Sequence, residues 1–83
     1  MADRSLPYRK LIRILKRFGV HEEAGRGKGS ERMLVAVIDG RKVRYPLKCH
    51  KESEDKPRAV VRAVRRRFNL TEQDGVSDGE FYT

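Results

Sequence analysis

The chain has 83 residues, room for one small domain and too little for a deep enclosed substrate cavity. It carries 20 Lys and Arg against 12 Asp and Glu, a net charge of +8. One cysteine and two histidines exclude a disulfide framework and make a structural zinc site improbable, and no apolar run approaches the ~20 residues of a membrane-spanning helix.

The start, Met-Ala-Asp-Arg-Ser, lacks the apolar core of a signal peptide, so a cytoplasmic protein with no metal and no cofactor is expected. Residues 1–70 hold all 20 cations and 8 of the acids, whereas residues 71–83 hold four acids and no cation. A basic body with an acidic tail points to a polyanionic partner, nucleic acid first. A merely solubilising surface is the plainer alternative.

Ser5-Leu6-Pro7 reads as the start of a helix, with Pro7 in its first turn. Tyr8, Leu11, Ile12, Ile14, Leu15 and Phe18 then share one apolar arc at helical spacing. Arg9, Lys10, Arg13, Lys16 and Arg17 fill the opposite arc, and Gly19 suits the C-terminal stop. Val20–Ala24 reads as a short edge strand.

Gly25-Arg-Gly-Lys-Gly-Ser-Glu31 follows, three glycines and two cations just before an apolar run. Glycines let backbone N–H groups approach an anion, and Arg26 and Lys28 add charge, so a phosphate is the natural guest. A hairpin loop with solvated cations explains the same residues. Glu31–Ile38 reads as a central strand, and Asp39-Gly40 is a strong two-residue hairpin signal. In Arg41–Leu47, Val43, Tyr45 and Leu47 face one way and Lys42 and Arg44 the other, with Pro46 marking an edge strand.

A charged loop over 48–56 contains Cys49 and His50, and Asp55 is placed to cap a second helix with Pro57 in its first turn. Ala59, Val60, Val61, Ala63, Val64 and Phe68 make that helix's apolar arc, opposite Arg58, Arg62, Arg65 and Arg66. Arg67 falls nearer the apolar arc and has to snorkel. Asn69 suits a left-handed stop. Thr71 with Asp74 and Ser77 with Glu80 signal short helical turns in the tail, where Phe81 or Tyr82 can dock on the core.

The expected fold is α+β: an α-β-β-β-α order, with a three-stranded antiparallel sheet and two helices packed on one of its faces. Residues 1–70 form the single domain and 71–83 the acidic tail. Burial of the two apolar arcs turns both rows of cations outward, which favours RNA or DNA binding over the solubilising alternative.

This order, with Gly-Lys-Gly-Ser opening the second strand and Leu-Ile-Arg-Ile-Leu-Lys-Arg-Phe-Gly at 11–19, resembles the HicA-type toxins of bacterial toxin–antitoxin pairs. The resemblance runs from about Leu6 to Leu70 and includes the Asn-Leu-Thr-Glu stretch at 69–72. It implies a double-stranded-RNA-binding-domain-like fold, ribosome-independent mRNA cleavage and neutralisation by a HicB-type antitoxin. Typical members carry a catalytic histidine after Gly-Ser, where this chain has Glu31 after Gly29-Ser30. A second histidine often follows the proline of the third strand, and His50, four residues past Pro46, is its only candidate.

RNA cleavage without a metal needs a base for the 2′-hydroxyl proton, an acid for the leaving 5′-oxygen and cations for the developing charge. Glu31 as base and His50 as acid, with Lys28 and Arg32 on the phosphate, is one assignment. Glu31 equally suits an ion pair with a neighbouring arginine, and His50 a solvated loop position. The wider RNA-contacting set comprises Arg9, Arg13, Arg26, Lys28, Gly29, Ser30, Arg32, Lys48, Arg58, Arg62, Arg65 and Arg66. Two functions follow: an mRNA endoribonuclease with an altered active centre, or a noncatalytic module that binds double-stranded RNA or an antitoxin.

Overall fold

Both long helices begin at a proline that ends a short extended segment. A computed structural model describes residues 3–23 and 31–83. Leu6–Pro7 (β1) pairs antiparallel with Asp55–Lys56 (β5), Leu6 opposite Lys56 and Pro7 opposite Asp55. The residue before proline favours extended backbone, so each two-residue strand runs directly into a helix. Those helices are α1 (Tyr8–Arg17) and α2 (Arg58–Arg67), with Pro7 and Pro57 as their N-caps.

Three expectations change here. Asp55 lies in β5 and does not cap α2, and Pro7 and Pro57 stand at the caps of α1 and α2, not inside their first turns. No side chain caps α1. Its first amide groups are satisfied by the loop just before β5: Tyr8 N–H donates to the Glu54 carbonyl at 2.8 Å and Arg9 N–H to that of Glu52 at 2.9 Å. Backbone carbonyls thus meet helix donors that would otherwise be orphaned.

His21–Glu22 (β2), Glu31–Ile38 (β3) and Arg41–Lys48 (β4) form a three-stranded antiparallel sheet in the order β2-β3-β4. Asp39 and Gly40, with φ of 52° and 77°, make the hairpin that their sequence signals. Glu31 opposes Lys48 and Ile38 opposes Arg41, which fixes the register. Leu34, Val35 and Ala36 are all buried, as expected of a central strand. Val37, nearer the hairpin tip, is exposed.

In a two-residue hairpin the residues flanking the turn exchange both backbone bonds, so Lys42, Arg44, Pro46 and Lys48 turn their backbone groups to the outer edge of β4. That edge is largely closed. Pro46 has no N–H, the Arg44 carbonyl accepts from Arg67 Nε at 3.0 Å, and the Lys48 carbonyl accepts from Lys56 Nζ.

The core lies between the sheet and the helices. Leu11, Ile14 and Leu15 of α1 meet Val61, Val64 and Phe68 from α2 over Leu34, Ala36 and Leu47. Each of these side chains larger than Ala36 contributes about 1.5–3 kcal/mol by leaving water. Residues 71–83 add a 3₁₀ turn (Glu72–Asp74) and a short helix, α3 (Asp78–Tyr82), each closed by a capping box, Thr71 with Asp74 and Ser77 with Glu80. Phe81 and Tyr82 are buried in the same core, and Phe81 stacks on Phe18 with centroids 6.0 Å apart. The molecule is a small α+β domain with one three-stranded antiparallel sheet and three helices.

Candidate nucleic-acid interface

Helical periodicity turns most of the cations outward. Arg9 and Arg13 on α1 and Arg58, Arg62 and Arg66 on α2 are exposed. Lys10 and Lys16 join them on α1. None of these seven side chains has an ion pair or hydrogen bond among the described residues. Their charges face water.

Arg65 departs from the expected outward row. Only 3% of it is exposed. It stands four residues after Val61 and one after Val64, on the flank of the apolar arc, and the C-terminal segment covers that flank. Its guanidinium donates to Asp3 at 2.7 Å, to Asp78 at 2.8 Å and to the carbonyls of Leu70 and Val76 at 2.9 and 3.2 Å. The ring of Phe81 lies 4.5 Å from its centre. Four of its five N–H donors are occupied, so Arg65 holds the fold together from within. Lys56 is buried too, bound to the Lys48 carbonyl and to Glu54 at 2.8 Å.

Arg66 and Arg62 line a cleft of about 460 Å³ together with Asn69, Glu72 and Asp74. The acidic 3₁₀ turn therefore borders the cations of α2.

A second polar cluster occupies the end of the sheet where β3 begins and β4 ends. Arg32 is half-buried there, 3.2 Å from Glu22, 3.9 Å from Glu52 and with its centre 5.4 Å from the Tyr8 ring. Tyr8 donates its hydroxyl to the same Glu22 oxygen, Oε2. Burial, then the Glu22 bond and charge, pushes the Tyr8 phenol well above its ordinary range, so it remains a donor. Burial likewise raises the Cys49 thiol, which donates to the Lys51 carbonyl. That thiol is inert as a nucleophile.

The two residues considered for catalysis lie at this end. Glu31 and Lys48 are cross-strand partners, both exposed, and His50 follows two residues beyond Lys48, also exposed. The His50 backbone N–H donates to Glu54 Oε1 at 2.9 Å. Hydrogen bonds from Lys56 and from that N–H hold the Glu54 carboxyl down at about 2. No hydrogen bond joins Glu31 to His50 among the described residues. Arg26, Lys28, Gly29 and Ser30 lie outside the described residues.

No family, curated protein or solved structure matches the chain. The assignment therefore rests on the residues themselves. Sequence reasoning placed Arg32 as a phosphate contact and missed Tyr8, Glu22 and Glu52 as its partners. Tyr8 sits on the apolar arc of α1 and Glu22 on a two-residue strand, so only tertiary packing brings them together. Among the described residues, no three His, Cys, Asp or Glu side chains gather as metal ligands.

Proposed function

We propose that the chain is an RNA-binding protein of the HicA type, with a double-stranded-RNA-binding-domain-like arrangement, that cleaves mRNA at the end of the sheet bearing His50. The observation that carries the reading is the row of seven exposed cations on α1 and α2, none of them in an ion pair or hydrogen bond among the described residues. Unpaired cations held on rigid helices suit the sugar–phosphate backbone, which releases condensed counterions when they bind. An acidic antitoxin of the HicB type would compete for the same charges.

In the cleavage step, a base removes the 2′-hydroxyl proton, the 2′-oxygen attacks phosphorus and the 5′-oxygen leaves with a proton from an acid. An exposed imidazole can hold either role, and His50 is the acid in this assignment, with Glu31 as base. Lys48 stands directly across the sheet from Glu31, placed to balance phosphate charge.

A noncatalytic RNA-binding module is the second reading, favoured by the lack of a hydrogen bond between Glu31 and His50 among the described residues. Labelled RNA and a full-length mRNA separate the two. RNA affinity is expected to fall about a thousandfold between 50 and 200 mM salt if six or more phosphates are contacted. Affinity insensitive to salt overturns RNA binding. Cleavage of the mRNA that disappears in His50→Ala supports the enzyme, and an intact mRNA supports the module.

A further inference from the structure

A cleft of about 250 Å³ opens between α1 and β2, with Tyr8 and Ile12 beneath it and Glu22 and Glu52 beside it. Arg9, Arg13 and Lys16 form its rim. We propose that this cleft receives one unpaired guanine base of a bound RNA, read by the Glu22 carboxylate. The proposal rests on the RNA-binding reading above and names what part of the RNA is recognised.

Size comes first. The cleft is smaller than the ~300–1,000 Å³ typical of pockets for drug-sized ligands, which suits a single base better than a whole nucleotide chain. Its floor is the edge of the hydrophobic core: Tyr8 and Ile12 are 1% and 9% exposed, so a base would meet apolar surface at the bottom of the cleft but no broad stacking platform.

The carboxylate decides which base. Both bonds to Glu22 fall on Oε2, one from the Tyr8 hydroxyl and one from Arg32 at 3.2 Å. These two donors fix the carboxylate's position and leave Oε1 without a partner among the described residues. A fixed carboxylate can only accept hydrogen bonds. Guanine presents two adjacent donors, N1–H and the N2 amino group, on its pairing edge. Adenine and cytosine set a ring-nitrogen acceptor beside their one amino group, and uracil flanks its single N–H with two carbonyls. Only guanine sets a second donor, and no acceptor, beside the first, so it alone meets the remaining oxygen, Oε1, without repulsion.

The charge pattern agrees. Glu22 and Glu52 stand among cations that would otherwise attract RNA, and negative charge there weakens backbone binding. A carboxylate paired with base donors gives selectivity in return. Arg9, Arg13 and Lys16 are spaced along one helix face, where they can take the phosphates on either side of the inserted base.

The test uses the full chain and short oligouridine RNAs carrying a single central guanosine, inosine or adenosine, measured by fluorescence anisotropy. Guanosine is expected to bind about tenfold or more tightly than adenosine, with inosine, which lacks the amino group, between them. Glu22→Gln is expected to collapse the guanosine-to-adenosine ratio to within about twofold, since an amide offers a donor as well as an acceptor. Because that change also alters the Arg32 contact, a second measurement tracks the Ile12 methyl signals as guanosine 5′-monophosphate is added. Equal affinity for the guanosine and adenosine RNAs overturns the guanine site while leaving RNA binding intact. Absence of salt-sensitive binding to every RNA overturns the RNA reading. In that case Ile12 shifts that saturate with guanosine but not adenosine monophosphate sustain the site, and unmoved Ile12 signals overturn it.

Discussion

Arg65 Nη1 donates to Asp3 Oδ1 at 2.7 Å, joining α2 to a residue 62 positions earlier in the chain. The same nitrogen reaches Asp78 at 2.8 Å, so one buried guanidinium binds the N-terminal segment, α2 and the C-terminal helix. Tyr82 completes the knot by donating its hydroxyl to Asp3 at 2.8 Å. A basic sequence thus uses one of its cations as internal cement.

Removing that cation leaves two carboxylates without their counter-charge. Arg65→Ala is expected to lower stability by about 3–5 kcal/mol, the range for breaking a buried ion pair from one side. Arg65→Met retains packing against Phe81 and is expected to cost less. Urea unfolding at neutral pH measures both. A loss below about 1 kcal/mol for the alanine variant would mean the cluster contributes little.

Acid weakens this fold through identifiable carboxylates. Burial raises the Asp3 pKa, but bonds from Tyr82 and Arg65 outweigh it and hold the group below its ordinary value of 3.8. Glu54 is held at about 2 against an ordinary 4.5. Both are more acidic folded than unfolded, so below pH 4.5 the unfolded chain binds more protons and stability rises with pH there. Their full contribution is present above about pH 5 and is lost on acidification toward pH 2. Glu54→Gln is expected to be less stable than the native chain at pH 6 and to approach it near pH 2. Denaturant midpoints across that range test it, and a constant difference would overturn the role of Glu54.

The local signals of the sequence proved informative where one stretch of chain suffices. Asp39-Gly40 turns the hairpin, Gly19 and Asn69 take φ of 85° and 57° at helix ends, and both tail capping boxes form. Arg65 was misplaced because a helical wheel knows only the sheet side, and the covering segment comes from residues 71–83. Asp55 was misplaced for a similar reason: its pairing partner, Pro7, lies at the other end of the chain. At the interface, the outward cations follow from periodicity, whereas Tyr8, Glu22 and Arg32 meet only through packing of α1 on the sheet.

Closure of the β4 edge has a measurable consequence. An open strand edge invites pairing with another chain, and here Pro46 and Arg67 both oppose it. Pro46→Thr combined with Arg67→Ala restores an N–H and frees the Arg44 carbonyl. The double variant is expected to self-associate at concentrations where the native chain does not, by light scattering. Unchanged mass across a tenfold concentration range would show that another feature guards the edge.

Arg62, Arg65 and Arg66 look alike in sequence and differ in what they have left to offer a phosphate. Arg62 and Arg66 are exposed and border the cleft on α2, while Arg65 is buried with four of its five donors already bound inside the fold. Arg62→Ala and Arg66→Ala are each expected to weaken RNA binding across sequences and to lower the slope of log affinity against log salt by about 1. Their melting temperatures are expected to stay within about 2 °C of the native chain, since exposed cations contribute little to stability. Arg65→Met is expected to do the reverse, lowering the melting temperature while the folded protein keeps its salt slope. If Arg65→Met lowered the slope as much as Arg62→Ala, the guanidinium would have to leave its carboxylates to meet RNA, and its place inside the fold would describe only the free protein.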